Sequence, residues 1–254
     1  MSEGTILQRH RALRWLVPVG VIGVVAGVAG GVFSAKATPE PLPPTTPPAL
    51  LAGVEKTQVP GFSGTVVARM SLGLPELPGM ADERGEASMT GLLSGSHTLR
   101  VWCAGPDRQR VALLGVTSET DVFHSGRDVW QWESDTHVAT HTVLPKHDAD
   151  AVPRPAMSSI TPEHVASQLL KSLDPSTAVT IGKNRVVADR SAYDLVLTPR
   201  TTETRIASVH IAVDGHTKLP LGVQVFARGN STPAIDIAFS DVSFRTPDAG
   251  YFSF

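Results

Sequence analysis

Val209-His210-Ile211-Ala212-Val213-Asp214-Gly215, followed after a short gap by Leu221-Gly222-Val223-Gln224-Val225, is the stretch that decides the fold class. In a β-strand, alternate residues point to the same side, and here one side of each run is uniformly aliphatic. Asp-Gly between two such runs is a strong local hairpin signal, so the spacing predicts two antiparallel strands joined at Asp214-Gly215.

The same pattern extends outward in both directions. Towards the N-terminus, short β-branched or aromatic runs bounded by turn residues fall at 62–68, 96–102, 109–114, 120–124, 128–132 and 140–144. Gly105-Pro106-Asp107 and Ser125-Gly126-Arg127 fit tight turns between neighbouring runs. The Gly- and Pro-rich stretch from Leu72 to Glu86 reads as a loop or lid. Further strands are predicted at 178–181, 185–188, 193–198, 205–213, 219–227 and 234–244.

Two helices interrupt the strands. Pro47 and Pro48 suit the first turn of a helix continuing through Glu55, with Leu50, Leu51 and Val54 on its buried face. Thr161 is a good N-cap, Pro162 fits the first helical position, and Val165, Leu169, Leu170 and Leu173 form an apolar stripe that Asp174-Pro175 ends. Many antiparallel strands with two helices make an α+β domain.

The N-terminus is of a different kind. Arg9, Arg11 and Arg14 precede an uncharged apolar run from Trp15 to Phe33, long enough to span a bilayer with the N-terminus in the cytoplasm. Ala35-Lys36-Ala37 has the small-x-small pattern of a cleavage site, so the run is either a retained anchor or a signal segment that releases Thr38. The expected organisation is a basic stub over residues 1–14, a transmembrane or signal segment over 15–33, a Pro-rich spacer over 34–48 and an exported domain over 49–254. The expected location is the cell membrane with the domain outside, or secretion if the chain is cut after Ala37.

Charge and motifs narrow the function classes. Four of the 22 basic residues and one of the 24 acidic residues precede Thr38, leaving 18 against 23 and a net charge of −5. That sign disfavours nucleic acid or an anionic membrane surface as the main partner. Cys103 is the only cysteine, so no internal disulfide can form. There is no G-x-S-x-G elbow, H-E-x-x-H motif, Walker loop or dinucleotide fingerprint, and Gly91-Leu92-Leu93-Ser94-Gly95 has the wrong spacing for the first. His137 and His141 flank a predicted strand, where a four-residue spacing does not converge on a metal, even with His124 and His147 nearby. No catalytic residue, metal or cofactor is therefore expected. Trp130 and Trp132 share one face of a strand, as core packing or as one wall of a ligand cavity.

The order of these elements carries a resemblance. It runs from a short helix through Phe62-Ser63-Gly64-Thr65-Val66 and a series of strands to the hairpin Val213-Asp214-Gly215-His216-Thr217-Lys218-Leu219-Pro220-Leu221. Matching stretches include His97-Thr98-Leu99-Arg100-Val101-Trp102, Asp128-Val129-Trp130-Gln131-Trp132, Tyr193-Asp194-Leu195-Val196-Leu197 and Val225-Phe226-Ala227-Arg228-Gly229. From about Leu50 to Phe254 the chain resembles the LolA/RseB-like superfamily, and most of all actinobacterial membrane-anchored proteins of the LolA-like, outer-membrane lipoprotein carrier kind.

The resemblance implies a half-barrel, a strongly curved antiparallel sheet whose apolar concave side is covered by helices. It implies a cavity for acyl chains of lipids or lipoproteins, or else an RseB-like sensor that binds an anti-sigma factor or another membrane protein. The strand faces that would line such a cavity contain Leu99 and Val101, Trp130 and Trp132, Val209 and Ile211, Val223 and Val225, and Ile237 and Phe239. The same residues serve equally as a filled core. Two features depart from a soluble carrier. A retained anchor would prevent shuttling, and Tyr251-Phe252-Ser253-Phe254 reads as an end inside or just after a strand, with the family's C-terminal part beyond it.

Overall fold

A computed structural model describes residues 40–57, 59–71, 95–145, 161–171, 176–201 and 203–254. The apolar run over 15–33, the loop over 72–86, His147 and residues 173–175 lie outside the described residues. Among those described, no helix is long and apolar enough to cross a membrane.

The strands form one open, curved antiparallel sheet of twelve. In chain order they are β1 (Phe62–Met70), β2 (Gly95–Cys103), β3 (Arg108–Leu114), β4 (Glu119–Ser125), β5 (Asp128–Glu133) and β6 (Val138–Val143). After the second helix come β7 (Thr177–Ile181), β8 (Arg185–Val187), β9 (Arg190–Pro199), β10 (Ile206–Asp214), β11 (Pro220–Ala227) and β12 (Pro233–Ser243). Two meanders are joined where β1 pairs with β12, giving the order β6-β5-β4-β3-β2-β1-β12-β11-β10-β9-β7, with β8 also on β9. Helix α1 (Pro47–Glu55) opens the domain, and α2 (Pro162–Lys171) is inserted between the meanders.

One face of the sheet carries the helices. Val66 pairs with both Leu99 and Phe239, Gly64 with Val101, and Val101 with Val111, so these residues share a side. Ile211 pairs with Leu195 and Val223, and Val223 with Ile237, which continues that side across the second meander. Two clusters fill it, one around Val66, Leu99 and Phe239 and one around Leu50, Leu195 and Ile211, with Val165 of α2 packing on both. In α2, Val165, Leu169 and Leu170 of the apolar stripe pack on the sheet, while the fully buried residues are Pro162 and Ala166, and the small side chain of Ala166 lets the helix sit close to the strands.

The curvature has local causes. Ser240 is an extra residue in β12, because Thr65 pairs with Asp241 and the next residue, Val66, with Phe239. Such a bulge bends and twists the strand that carries it. Gly64 lies beside it, and a Cβ there would sit 2.9 Å from the Phe239 ring and closer still to the Asp241 carbonyl. Only glycine fits so close a backbone approach.

The hairpin between β10 and β11 is present, and it turns at Asp214-Gly215 between strands placed where the spacing predicts them. The loop runs from Gly215 to Leu219, closed by Asp214 N–H donating to the Leu219 carbonyl at 2.9 Å, and its left-handed residue is Lys218 at φ 63°. The Asp214 carboxylate explains the length of this loop. It is fully buried and accepts from the backbone N–H of His216 (3.0 Å) and Thr217 (2.7 Å), from the Thr217 hydroxyl (2.9 Å) and from Arg190 (2.5 and 3.2 Å). A short tight turn has no room for that many donors.

β8 and β9 form a second hairpin, closed by the Val187–Arg190 pair around Ala188 and Asp189. Both turn residues have positive φ, 50° and 57°, a conformation that alanine adopts only under strain. The hairpin is tied to the sheet by Arg185, which donates to Gln224 Oε1 at 2.6 Å, while Asp194 beside it is bonded to His210 at 2.8 Å.

Two stability measurements follow. Burial alone would raise the Asp214 pKa, but the bonds from Arg190 and Thr217 outweigh it and hold the carboxyl below its ordinary value. Its stabilising contribution is therefore complete above the unfolded-state pKa, about 4, and is lost as pH falls through the lower folded value. Asp214→Asn strands Arg190 and should cost about 3–5 kcal/mol at pH 7 by urea denaturation, with a smaller difference from wild type at pH 2. Replacing Ala188-Asp189 by Asn-Gly, which suits two successive positive-φ residues, should raise the unfolding free energy by about 1 kcal/mol, seen as a higher urea midpoint at unchanged slope.

Candidate functional site: a cavity between the second helix and the sheet

The helix-bearing face is not filled everywhere. Between α2, the end of α1 and strands β1, β2, β3 and β11 lies a cavity of about 480 Å³. Its floor is apolar, built from Phe62, Val101, Val111 and Leu219, and Leu170 of α2 adds to it from above. Its polar lining is Glu55 at the end of α1 and Glu163, His164, Ser167 and Lys171 on α2. This volume lies within the range of small-molecule sites, in which an apolar body and a few polar groups are the usual lining.

Each wall has a local cause. Phe62 opens β1 and holds its ring edge-on to Phe239, with centroids 6.0 Å apart. Leu219 and Pro220 come from the Asp214-centred turn. The Thr57 hydroxyl bonds the carbonyls of Gly53 (2.8 Å) and Thr217 (3.2 Å), which joins the end of α1 to that same turn. Cys103 ends β2 at the cavity wall, with its thiol 3.5 Å from the Gly105 carbonyl. Burial pushes the thiol pKa above its ordinary value, the Glu163 charge adds to this, and the Gly105 contact offsets a part.

The residues nominated from the sequence are not brought together at this cavity. Val101 lines its floor. Leu99, Val209, Ile211, Val223, Ile237 and Phe239 lie on the same side of the sheet but are close-packed in the core, each at most 5% exposed. Val225 is half-buried at the edge of the second cluster. Trp130 and Trp132 share a face, as expected, but it is the other one. They pair with Phe123 and Asp121, the residues flanking core Val122. Sequence reasoning missed Phe62, Val111 and Leu219 as lining residues, and it missed the polar side of α2.

That other face is aromatic and cationic. The Arg110 guanidinium lies 4.9 Å from the Trp102 ring and 4.5 Å from the Phe123 ring, held by Asp121 at 2.7 and 2.8 Å. The 3₁₀ turn Ala249–Phe252 crosses this surface, so the Tyr251–Phe254 run follows the last strand rather than lying within one. Tyr251 stacks on Trp102, Phe254 stacks on Trp130, and Trp130 stacks on His141, which is bonded to Asp128 at 2.8 Å. His124 is bonded to the Gly126 carbonyl instead. Among the described residues, no group of three histidine, cysteine or carboxylate side chains is placed to hold a metal ion.

No family model matches the chain, and no curated protein does. Solved structures similar to it include the Pseudomonas aeruginosa MucA/MucB complex, at 16% identity and a TM-score of 0.49 over 81% of this chain and 59% of that one. MucB alone is similar at 16% identity and a TM-score of 0.47, covering 82% of this chain and 62% of that one. A LolA-superfamily protein of Nitrosomonas europaea follows at 13% identity and a TM-score of 0.32, covering 83% and 99%. The structural neighbours are MucB and LolA-superfamily proteins. The chain spans about three fifths of the length of the MucB chains that it matches. The fold assignment itself stands on the strand register and burial described above.

The cavity wall yields a chemical test. With its pKa raised, Cys103 should be alkylated by iodoacetamide with a rate midpoint above about pH 8.5, the ordinary thiol value. Glu163→Gln should move that midpoint down. A midpoint at or below the ordinary value would place the thiol outside the cavity wall.

Proposed function

We propose that this domain is a non-enzymatic binder of lipid or lipoprotein acyl chains, working on the outer face of the membrane that its N-terminal segment enters. The observation that carries the reading is the cavity of about 480 Å³, with an alkyl-compatible floor of Phe62, Val101, Val111 and Leu219 beneath the polar lining on α2. Such a site takes a chain by removing apolar surface from water, worth roughly 0.8 kcal/mol per buried methylene, and leaves a polar head at the rim. The floor comes from the rigid sheet, while α2 forms the side that a ligand would displace to enter.

The other reading of the resemblance is a sensor that binds an anti-sigma factor or another membrane protein. MucB has been solved in complex with MucA. In this chain, the feature that favours partner binding is the aromatic face of β2–β5, on the opposite side of the sheet from the cavity.

The single cysteine provides the test. With the full chain and palmitate as the probe, saturation should slow alkylation of Cys103 at least ten-fold. Val111→Trp, which fills the floor, should abolish both palmitate uptake and this protection. Unchanged Cys103 reactivity, together with no measurable palmitate binding, would overturn the proposal.

A further inference from the structure

The outer aromatic surface is covered by a short segment of the chain itself, and the nature of that contact identifies a second binding site. Phe252 is inserted to 3% exposure, while Tyr251 and Phe254 remain 44% and 56% exposed. Phe254 alone meets three rings, those of Phe123 (5.5 Å), Trp130 (4.9 Å) and Trp132 (6.2 Å). The hydrogen bonds of the segment stay local. Tyr251 N–H donates to the Asp248 carbonyl at 3.1 Å and the Ser253 hydroxyl to the Gly250 carbonyl at 3.3 Å. Among the described residues no hydrogen bond joins 249–254 to the sheet beneath.

A cover held by side-chain packing, without hydrogen bonds to the sheet, opens at a lower free energy than the hydrogen-bonded strands under it. What it covers has the composition of a protein-binding hot spot, with three tryptophans and a half-buried arginine on one face of a rigid sheet. Arg110 is already neutralised by Asp121, so the surface selects aromatic rings rather than anions. The resident segment shows the matching chemistry, with rings at positions 251, 252 and 254.

We propose that this face of β2–β5 is a docking site for a segment of a partner polypeptide bearing aromatic residues in the spacing i, i+1 and i+3, and that Tyr251–Phe254 is its displaceable cover. The inference does not rest on the cavity, which lies on the other side of the sheet. Failure of acyl-chain binding leaves it standing, and its own failure leaves the cavity standing.

The test uses the full chain and a fluorescein-labelled peptide of residues 247–254, read by fluorescence anisotropy. Tyr251→Ala/Phe252→Ala/Phe254→Ala should bind the peptide at least ten-fold tighter than wild type. Adding Trp130→Ala to that variant should remove the gain, and a peptide with its three rings changed to alanine should not bind. Because Phe252 is buried, Phe254→Ala alone is the milder variant, and it should show an intermediate gain. Equal binding by wild type and both variants, or binding by none, would overturn the proposal. So would sedimentation showing that wild-type copies exchange this segment with one another, since the occupant would then be a second copy rather than a partner.

Discussion

The buried carboxylate of Asp214 is the interaction on which the rest of the domain depends. Its two oxygens hold the β10–β11 turn through His216 and Thr217 and hold the start of β9 through Arg190. Arg190 in turn lies 4.6 Å from the Phe244 ring, just beyond β12, so one charge organises four strands. Gly215 N–H, bonded to the Ser191 carbonyl at 2.9 Å, and Lys218, 4.8 Å from the Tyr193 ring, fasten the same turn to β9. A buried carboxylate with fewer donors would not remain ionised, and an unpaired one would destabilise the sheet. The turn also reaches the cavity. Its Leu219 and Pro220 line the floor, and its Thr217 carbonyl receives the hydroxyl that positions the end of α1.

Why the strands could be read so closely follows from one-sided burial. Val209, Ile211 and Val213 alternate with His210 and Ala212 because a one-residue slip would put every aliphatic side chain into water. The helix starts were legible for a comparable reason, since Pro47 and Pro162 suit only the first turn of a helix. The turns were less so. Asp214-Gly215 marks where the β10–β11 hairpin turns, but the bonds to the Asp214 carboxylate from Arg190, distant in sequence, leave no local signal. Ala188-Asp189 carries no signal for a positive-φ turn at all, and the pairing of β8 with β9 imposes it.

The cavity was harder to see than the core. Alternation tells which residues share a side of a strand, but it does not separate a filled part of that side from an empty one. Leu99 and Val101 are neighbours on one face, yet only Val101 reaches the space that the short α2 leaves open. Periodicity also placed Trp130 and Trp132 together without saying which way they point. The register with Phe123 and Asp121 decides that they face away from the helices. What results is a sheet with two chemically different sides: an aliphatic one that leaves room under a helix, and an aromatic one crossed by the segment Tyr251–Phe254.

If the proposed function holds, an alkyl chain occupies the space between α2 and the sheet. Anomalous scattering of bromine from crystals grown with a bromine-labelled fatty acid locates such a chain. A bromine peak is expected among Phe62, Val101, Val111 and Leu170. A peak only on the Trp130–Phe254 side of the sheet, or none in the protein at all, would contradict the proposed function.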